Sequence, residues 1–290
     1  MNPYQNKLID LHVHSDKSDG SLSPSDLVSY AIKQGVSAFA LTDHDTVDGI
    51  DEAVAASKNT SVTVIPGIEL STEYEGKDIH IVGLFIDKEQ PAFRERIQRF
   101  ANARTNRNLE MCQKLTEAGL PLEYEELTNA FPGAVITRAH YAQILLTKGY
   151  TKSLKEAFER YIGDHSPCFI PRKKISPEEG VKFILSANGL PVLAHPMQYG
   201  MGDARLQQLI DRLKEAGLVA LEAIYCTHTP SEEAKLCKLA KDNGLLISGG
   251  SDFHGKAKPG LELGTGYGRL HVSQEVLENL KAKKEELFPT

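Results

Sequence analysis

Hydrophobic and polar positions alternate with period two near the start of the chain. Ile9, Leu11 and Val13 are apolar while Asp10, His12 and His14 are polar, which predicts a strand over residues 8–15. Ser23 followed by Pro24 forms an N-cap and first-turn pair, and the pattern beyond it predicts a helix to about Gly35. An apolar run at 38–41, a helical pattern from Val47, and apolar runs at 63–68 and 79–86 follow. Strand, helix and strand in succession predict parallel βα units.

The rhythm changes after Pro91. Across 93–118, Ile97, Phe100, Leu109, Cys112 and Leu115 recur at helical spacing, and helical patterns follow at 123–130, 138–148 and 152–162 with no strand between them. Strand-like runs resume at 190–194, 221–225 and 245–248, separated by helices starting near Pro177, Ala204 and Ser231. The expected fold is α/β: a βα barrel built from residues 1–90 and 166–290, with 91–165 inserted as a helical cap.

Composition narrows the function classes. In 290 residues, 41% are hydrophobic and 25% charged, and the formal net charge is -6. A broad nucleic-acid-coating surface needs clustered Lys and Arg, so that balance argues against one while leaving room for a local basic pocket. Residues 1–7 are too polar for a signal-peptide core, and no apolar run is long enough to span a bilayer. Four scattered cysteines with no C-x-x-C pair read as reduced thiols. A cytoplasmic protein is expected; the pattern leaves the oligomeric state open.

The predicted strands carry metal-capable residues at their ends, where a βα barrel collects its functional groups. His12 and His14 share one face of the first strand, and Asp19 follows in a Ser-Asp-Gly turn. The second strand runs into Thr42-Asp43-His44-Asp45, the third ends at Glu69, and the fourth contains His80. His195 and the Ser251-Asp252-Phe253-His254 segment close later strands. Any one of these residues alone is ordinary turn, surface or core chemistry. Together, six histidines and three carboxylates exceed what one ion can use, so two or three ions are expected, with Glu69 able to bridge. Such clusters lower the pKa of bound water to about 7 and clamp both oxygens of an in-line displacement, which points to phosphate-ester hydrolysis by metal-activated hydroxide.

The motifs Asp10-Leu11-His12-Val13-His14-Ser15, Leu41-Thr42-Asp43-His44-Asp45, Gly67-Ile68-Glu69, Ile79-His80-Ile81, Ala194-His195-Pro196 and Ser251-Asp252-Phe253-His254 resemble the PHP (polymerase and histidinol phosphatase) superfamily. The resemblance implies a distorted seven-stranded βα barrel and a centre of two or three divalent ions, Mn, Fe or Zn. Its ligands would be His12, His14, Asp19, His44, Glu69, His80, His195, Asp252 and His254. Two further segments, 136–140 and 157–163, resemble a narrower subgroup that includes 3′,5′-nucleoside bisphosphate phosphatases and a bacterial 5′→3′ exoribonuclease, RNase AM.

His195, Asp252 and His254 are therefore the expected catalytic residues, with either histidine a candidate to protonate the leaving oxygen. A second phosphate needs its own partners. Arg138 and His140 at a helix start, together with Arg172, are the expected substrate contacts, since Arg offers a bidentate fork and helix N-termini favour anions. Of the arginines at 94, 96, 99, 104 and 107, most are expected on a solvated face, with Arg104 and Arg107 the candidates to turn inward. The glycine-rich stretch 264–268 is read as a turn, and His165, His228 and His271 as surface or core histidines. The expected substrate is a nucleoside 3′,5′-bisphosphate or a short oligoribonucleotide 5′ end. Histidinol phosphate hydrolysis and a non-catalytic module partnering a polymerase are the alternatives.

Overall fold

The computed structural model describes residues 7–171 and 174–289. Seven strands form one sheet in sequence order: β1 (Leu8–Val13), β2 (Val36–Leu41), β3 (Thr63–Tyr74), β4 (Lys77–Leu84), β5 (Leu190–Leu193), β6 (Ala220–Tyr225) and β7 (Leu246–Gly250). The segment after β7 comes back against β1, with Val13 bridged to Phe253 and the Asp252 N–H donating to His12 O at 2.9 Å, so the sheet curls into a nearly closed barrel. Around it run α1 (Pro24–Gln34), α2 (Ile50–Ser57), then α3 (Pro91–Glu117), α4 (Tyr124–Ala130), α5 (Arg138–Thr147) and α6 (Leu154–Ala157) between β4 and β5, and finally α7 (Pro177–Leu185), α8 (Asp203–Ala216), α9 (Pro230–Asp242) and α10 (Gln274–Leu287). Among the described residues, no helix is long and apolar enough to cross a membrane.

Local chemistry explains the element ends. Ser23 accepts from the Asp26 N–H and Gly35 adopts φ +72°, which stops α1 where the sequence pattern placed its ends. Thr229 and Glu232 form a capping box at the start of α9, as Ser176 and Glu179 do for α7. α2 begins three residues later than Val47, because residues 44–49 turn across the barrel mouth before the helix starts.

The strand direction departs from the expectation of parallel βα units throughout. β3 runs on to Tyr74 and reverses through Glu75 and Gly76, both at positive φ, into an antiparallel pairing with β4; β4 is also antiparallel to β5. A two-residue connection can only make a hairpin, since a parallel return needs a dozen residues or more. The remaining neighbours are parallel. Because β4 is inverted, its N-terminal part lies at the same rim as the C-terminal ends of the parallel strands.

Apolar packing ties helices to sheet. Leu27, Val28 and Ala31 of α1 bury against Val13, Phe39 and Leu41, while Val181, Phe183 and Ile184 of α7 and Leu209 and Leu213 of α8 bury with Ile68, Leu70, Ile79 and Ile81. Each fully buried aliphatic contributes about 1.5–3 kcal/mol. α3 belongs to two cores: Phe93 stacks on Phe183 at 4.6 Å, whereas Met111, Cys112 and Leu115 join Tyr141, Leu145 and Ile162 in a separate cluster. Of the arginines on α3, Arg94 and Arg99 are exposed and pair with Glu89 and Glu95, while Arg104 turns inward and is buried.

Asp10 fastens the closure. Its buried carboxylate accepts from the Ser251 N–H at 2.8 Å and from the Ser251 hydroxyl, from the Gly264 N–H at 2.8 Å and from the His12 N–H at 3.3 Å. The 264–268 stretch is thus a turn held by Asp10 and by the Glu262–Gly266 bridge. Gly250 permits the close approach of β7 to β1, since a Cβ there would lie 2.4 Å from His12 Cβ. Replacing Asp10 by Ala strands buried donors from three segments; the expected loss is about 3 kcal/mol. Urea denaturation of Asp10→Ala should show a lowered midpoint with an unchanged slope, and an unshifted midpoint would refute this role.

Candidate metal centre

The inverted strand lets β4 add its early residues to the rim formed by the C-terminal ends of the parallel strands. β1 supplies His12 and the residue just past its end is His14, their rings 5.2 Å apart, and the loops after β2, β5 and β7 supply His44, His195, Asp252 and His254. Glu69 comes from mid-β3, level with His44 through a bridge, and His80 from the early part of β4, opposite Ser71. Asp19 closes the ring from the β1–α1 loop. All nine positions singled out from the sequence converge.

Glu69 is the hub. Its Oε2 lies 3.2 Å from both His12 Nε2 and His14 Nε2 and 3.1 Å from His44 Nδ1; its Oε1 lies 2.8 Å from His80 Nδ1 and 3.2 Å from His195 Nε2. Asp252 Oδ1 stands 3.3 Å from His14 Nε2 and from His254 Nδ1. Asp19 Oδ1 stands 3.1 Å from His254 Nε2. Three sets of atoms, each within 4.8 Å of one another, have the composition of a metal site: His14, Asp19, His44 and His254; His12, His14 and Glu69; His44, Glu69 and His80.

The donor set fits divalent cations. His12 Nε2, both nitrogens of His14, Asp19 Oδ1, His44 Nδ1, Glu69 Oε2 and His195 Nδ1 are buried without a hydrogen-bond partner. Buried polar atoms are normally paired, and unpaired atoms of His12, His14, Asp19, His44 and Glu69, residues that fall in the three metal-type groups, fit a cation cradle. The tautomers agree. His12 Nδ1 meets Glu222 Oε1 at 2.9 Å and His254 Nδ1 meets Asp252 O at 2.8 Å, and both contacts need N–H at Nδ1 and leave Nε2 as the inward-facing donor atom.

Supporting residues went unnoticed in the sequence. Glu222 spans His12 and the His195 N–H, the latter at 2.7 Å from its Oε2; its signal was one carboxylate in the otherwise apolar strand β6. Asp43, read only as part of a motif, accepts from the Ser15 N–H and from the hydroxyls of Ser15 and Ser18, which shapes the loop carrying Asp19. Asp45 takes the Ser71 N–H and the Arg104 guanidinium. Asp45, His195 and Asp252 all sit at positive φ, +51°, +24° and +56°, a strain that is stored where the surroundings over-determine the backbone.

The charge state follows from the crowding. Burial drives the Glu69 carboxyl up, but His44, His12 and His80 outweigh it and hold it well below the usual carboxylate range. Burial likewise opposes a charge on His14, yet Asp252 and Glu69 raise it to about 9; His44, with burial dominant, falls to about 4.

Asp19, His44 and His80 are the members of the cluster that also line a cleft of about 490 Å³ between the barrel mouth and the inserted helices. Arg104, Arg107, Arg138, His165 and Lys174 line it too. Arg138 is held by Asp164 at 2.7 Å, with its guanidinium 5.2 Å above Phe169. His140 is placed differently from the expected substrate contact. It is buried and absent from the cleft lining, stacked on Phe131 at 4.3 Å, and its Nδ1 accepts the Thr137 N–H at 3.1 Å, which makes it a cap for α5. Arg172 lies outside the described residues. His165, read as a surface or core histidine, is exposed at the cleft; His228 is buried after β6, its Nδ1 against Ala223 O at 2.9 Å; His271 is exposed.

Residues 10–167 match the family described as the PHP domain. The chain belongs to the PHP domain family. A relative, the 5′-3′ exoribonuclease of Haemophilus influenzae, is 39% identical and aligns over 86% of this chain and 90% of its own. The 3′,5′-nucleoside bisphosphate phosphatase of Chromobacterium violaceum is 32% identical over 88% of this chain and 90% of its own. A solved structure from Bifidobacterium adolescentis, described as a candidate metal-dependent phosphoesterase, superposes with a TM-score of 0.82 at 26% identity, covering 96% of each chain. This PHP protein is a metal-dependent phosphoric ester hydrolase.

Divalent cations must displace protons from His12, His14 and His80, each raised above its ordinary value against the pull of burial by Glu69 and neighbouring carboxylates. Adding Mn²⁺ or Zn²⁺ to metal-free protein at pH 7 should therefore release protons. Apparent affinity should climb as pH rises through the range in which these histidines lose their protons, which for His14 lies at about 9. A pH-indicator titration showing no proton release would contradict this electrostatic account.

Proposed function

We propose that this enzyme hydrolyses phosphate esters of nucleotides, namely 3′,5′-nucleoside bisphosphates or the 5′ ends of short RNA. The observation that carries the reading is the juxtaposition of the nine-residue cluster with a cleft whose far wall presents Arg138, Lys174 and the start of α5. The exoribonuclease and bisphosphatase relatives, matched along nine tenths of their length, add support. Residues 91–165 serve as a cap that completes the substrate cleft over a barrel of 1–90 and 166–290.

In this reading His12, His14, Asp19, His44, Glu69, His80, His195, Asp252 and His254 hold two or three Mn, Fe or Zn ions, with Glu69 shared. Such ions, when bound, supply Lewis acidity at the phosphoryl group and a nucleophile at neutral pH. The protein's own groups do the rest. Glu222 fixes the ring of His12, and Asp43 fixes the loop of Asp19. Arg138, steadied by Asp164 and Phe169, binds the phosphate that is not cleaved, while His140 holds the helix that presents it. His195 and His254 are both in the ligand set, His195 with Nε2 on Glu69 and His254 with its nitrogens facing Asp252 and Asp19, and a ligating nitrogen carries no proton, so neither is given the proton-donor role in this reading.

Phosphate release from nucleoside 3′,5′-bisphosphates, or mononucleotide release from short 5′-phosphorylated RNA, should be faster than phosphate release from mononucleotides, and chelation should abolish all of them. A preference for histidinol phosphate would replace this reading with the histidinol phosphatase one. A folded, metal-loaded protein that turns over no ester would replace it with a polymerase-associated module.

Arg138→Ala removes one charge-assisted contact of about 1.5–3 kcal/mol, so kcat/KM on a bisphosphate should fall about 10- to 100-fold. The same variant should change mononucleotide hydrolysis by much less. Equal losses on both substrates would remove Arg138 from the phosphate-binding role.

A further inference from the structure

The two oxygens of Asp252 have different surroundings. Oδ1 faces the cluster, 3.3 Å from His14 Nε2 and 3.8 Å from His12 Nε2. Oδ2 faces away and is taken by two donors, the Tyr225 hydroxyl at 2.7 Å and the Lys258 ammonium at 2.6 Å. Gln198 Nε2 donates to the same Tyr225 oxygen at 2.8 Å, so the single phenolic proton is committed to Asp252. The backbone is also fixed: Asp252 sits at φ +56° with its N–H on His12 O.

We propose that Tyr225 and Lys258 are positioning residues that occupy Oδ2 and confine Asp252 to ligation through Oδ1. The inference rests on Asp252 being a metal ligand. A carboxylate free to turn would bind through both oxygens and fill a coordination position that the phosphoester needs, because catalytic metal sites keep a position open. Neither residue lines the cleft, so both act through Asp252 and not on substrate.

The test compares the full-length protein with Tyr225→Phe, Lys258→Met, the double variant and Lys258→Arg, each loaded with Co²⁺. Coordination geometry is read from the visible absorption of the cobalt, a signal that needs no turnover. The double variant should keep its near-UV circular dichroism and metal content but lose absorption severalfold, as the added oxygen raises the coordination number. Its kcat should fall about 10-fold or more with KM little changed, and Lys258→Arg should restore most of the spectrum and rate. An unchanged spectrum in the folded double variant overturns the proposal. So does a rise in KM at constant kcat, which would make Lys258 a substrate contact, or loss of metal from the double variant. Wild-type protein that takes up no Co²⁺ overturns the ligand assignment of Asp252, and this inference with it.

Discussion

Glu69, only 1% exposed, stands between the imidazoles of His12, His14, His44, His80 and His195, and the barrel mouth is arranged around it. A buried carboxylate is costly unless cations or donors surround it. Five rings from four separate stretches of chain can meet one carboxylate only if their strand ends reach a common level. The antiparallel hairpin of β3 and β4 makes that possible. It places Glu69 in mid-strand level with His44, and inverts β4 so that His80, early in its strand, meets residues late in theirs.

Outside this hub, a layer of buried hydrogen bonds holds each contributor in place. Asp10 joins β1 to the segment after β7, Asp43 holds the loop of Asp19, and Glu222 links His12 to His195. Tyr225 and Lys258 do the same for Asp252. These groups surrender rotational freedom and hydration to make the mouth rigid. Rigidity matters because ligands misplaced by a fraction of an ångström lose both affinity and the open position that chemistry requires.

The insertion contributes on different terms. Its core, around Met111, Tyr141 and Ile162, is separate from those of the barrel, and α3 joins the two through Phe93 on one side and Met111 on the other. Buried Arg104 ties that helix to Asp45, the neighbour of His44, and the Val135 N–H donates to Lys17 O, two residues from Asp19. The wall that carries Arg138 is therefore anchored to the same loops that bear cluster residues, and cleft shape and cluster geometry are mechanically linked.

Much of this was legible in the sequence because it depends on local rules. Period-two alternation put His12 and His14 on one face, the Ser23-Pro24 pair set the start of α1, and strand-end His and Asp residues marked the mouth. Strand direction was not legible from runs at 63–68 and 79–86, because an apolar run looks the same in either sense. Glu222, Tyr225 and Lys258 were not legible as cluster supports, since what they touch lies 27 to 210 residues away or is set by a turn. His140 shows the converse: its motif points to a substrate contact, and only the structure shows its Nδ1 accepting the Thr137 N–H as a cap for α5. The sequence by itself determined which residues bear ligand chemistry, because side-chain type and periodicity are local. Only the tertiary structure decided which atoms meet, because burial, strand sense and most side-chain partners are settled by groups distant in the chain.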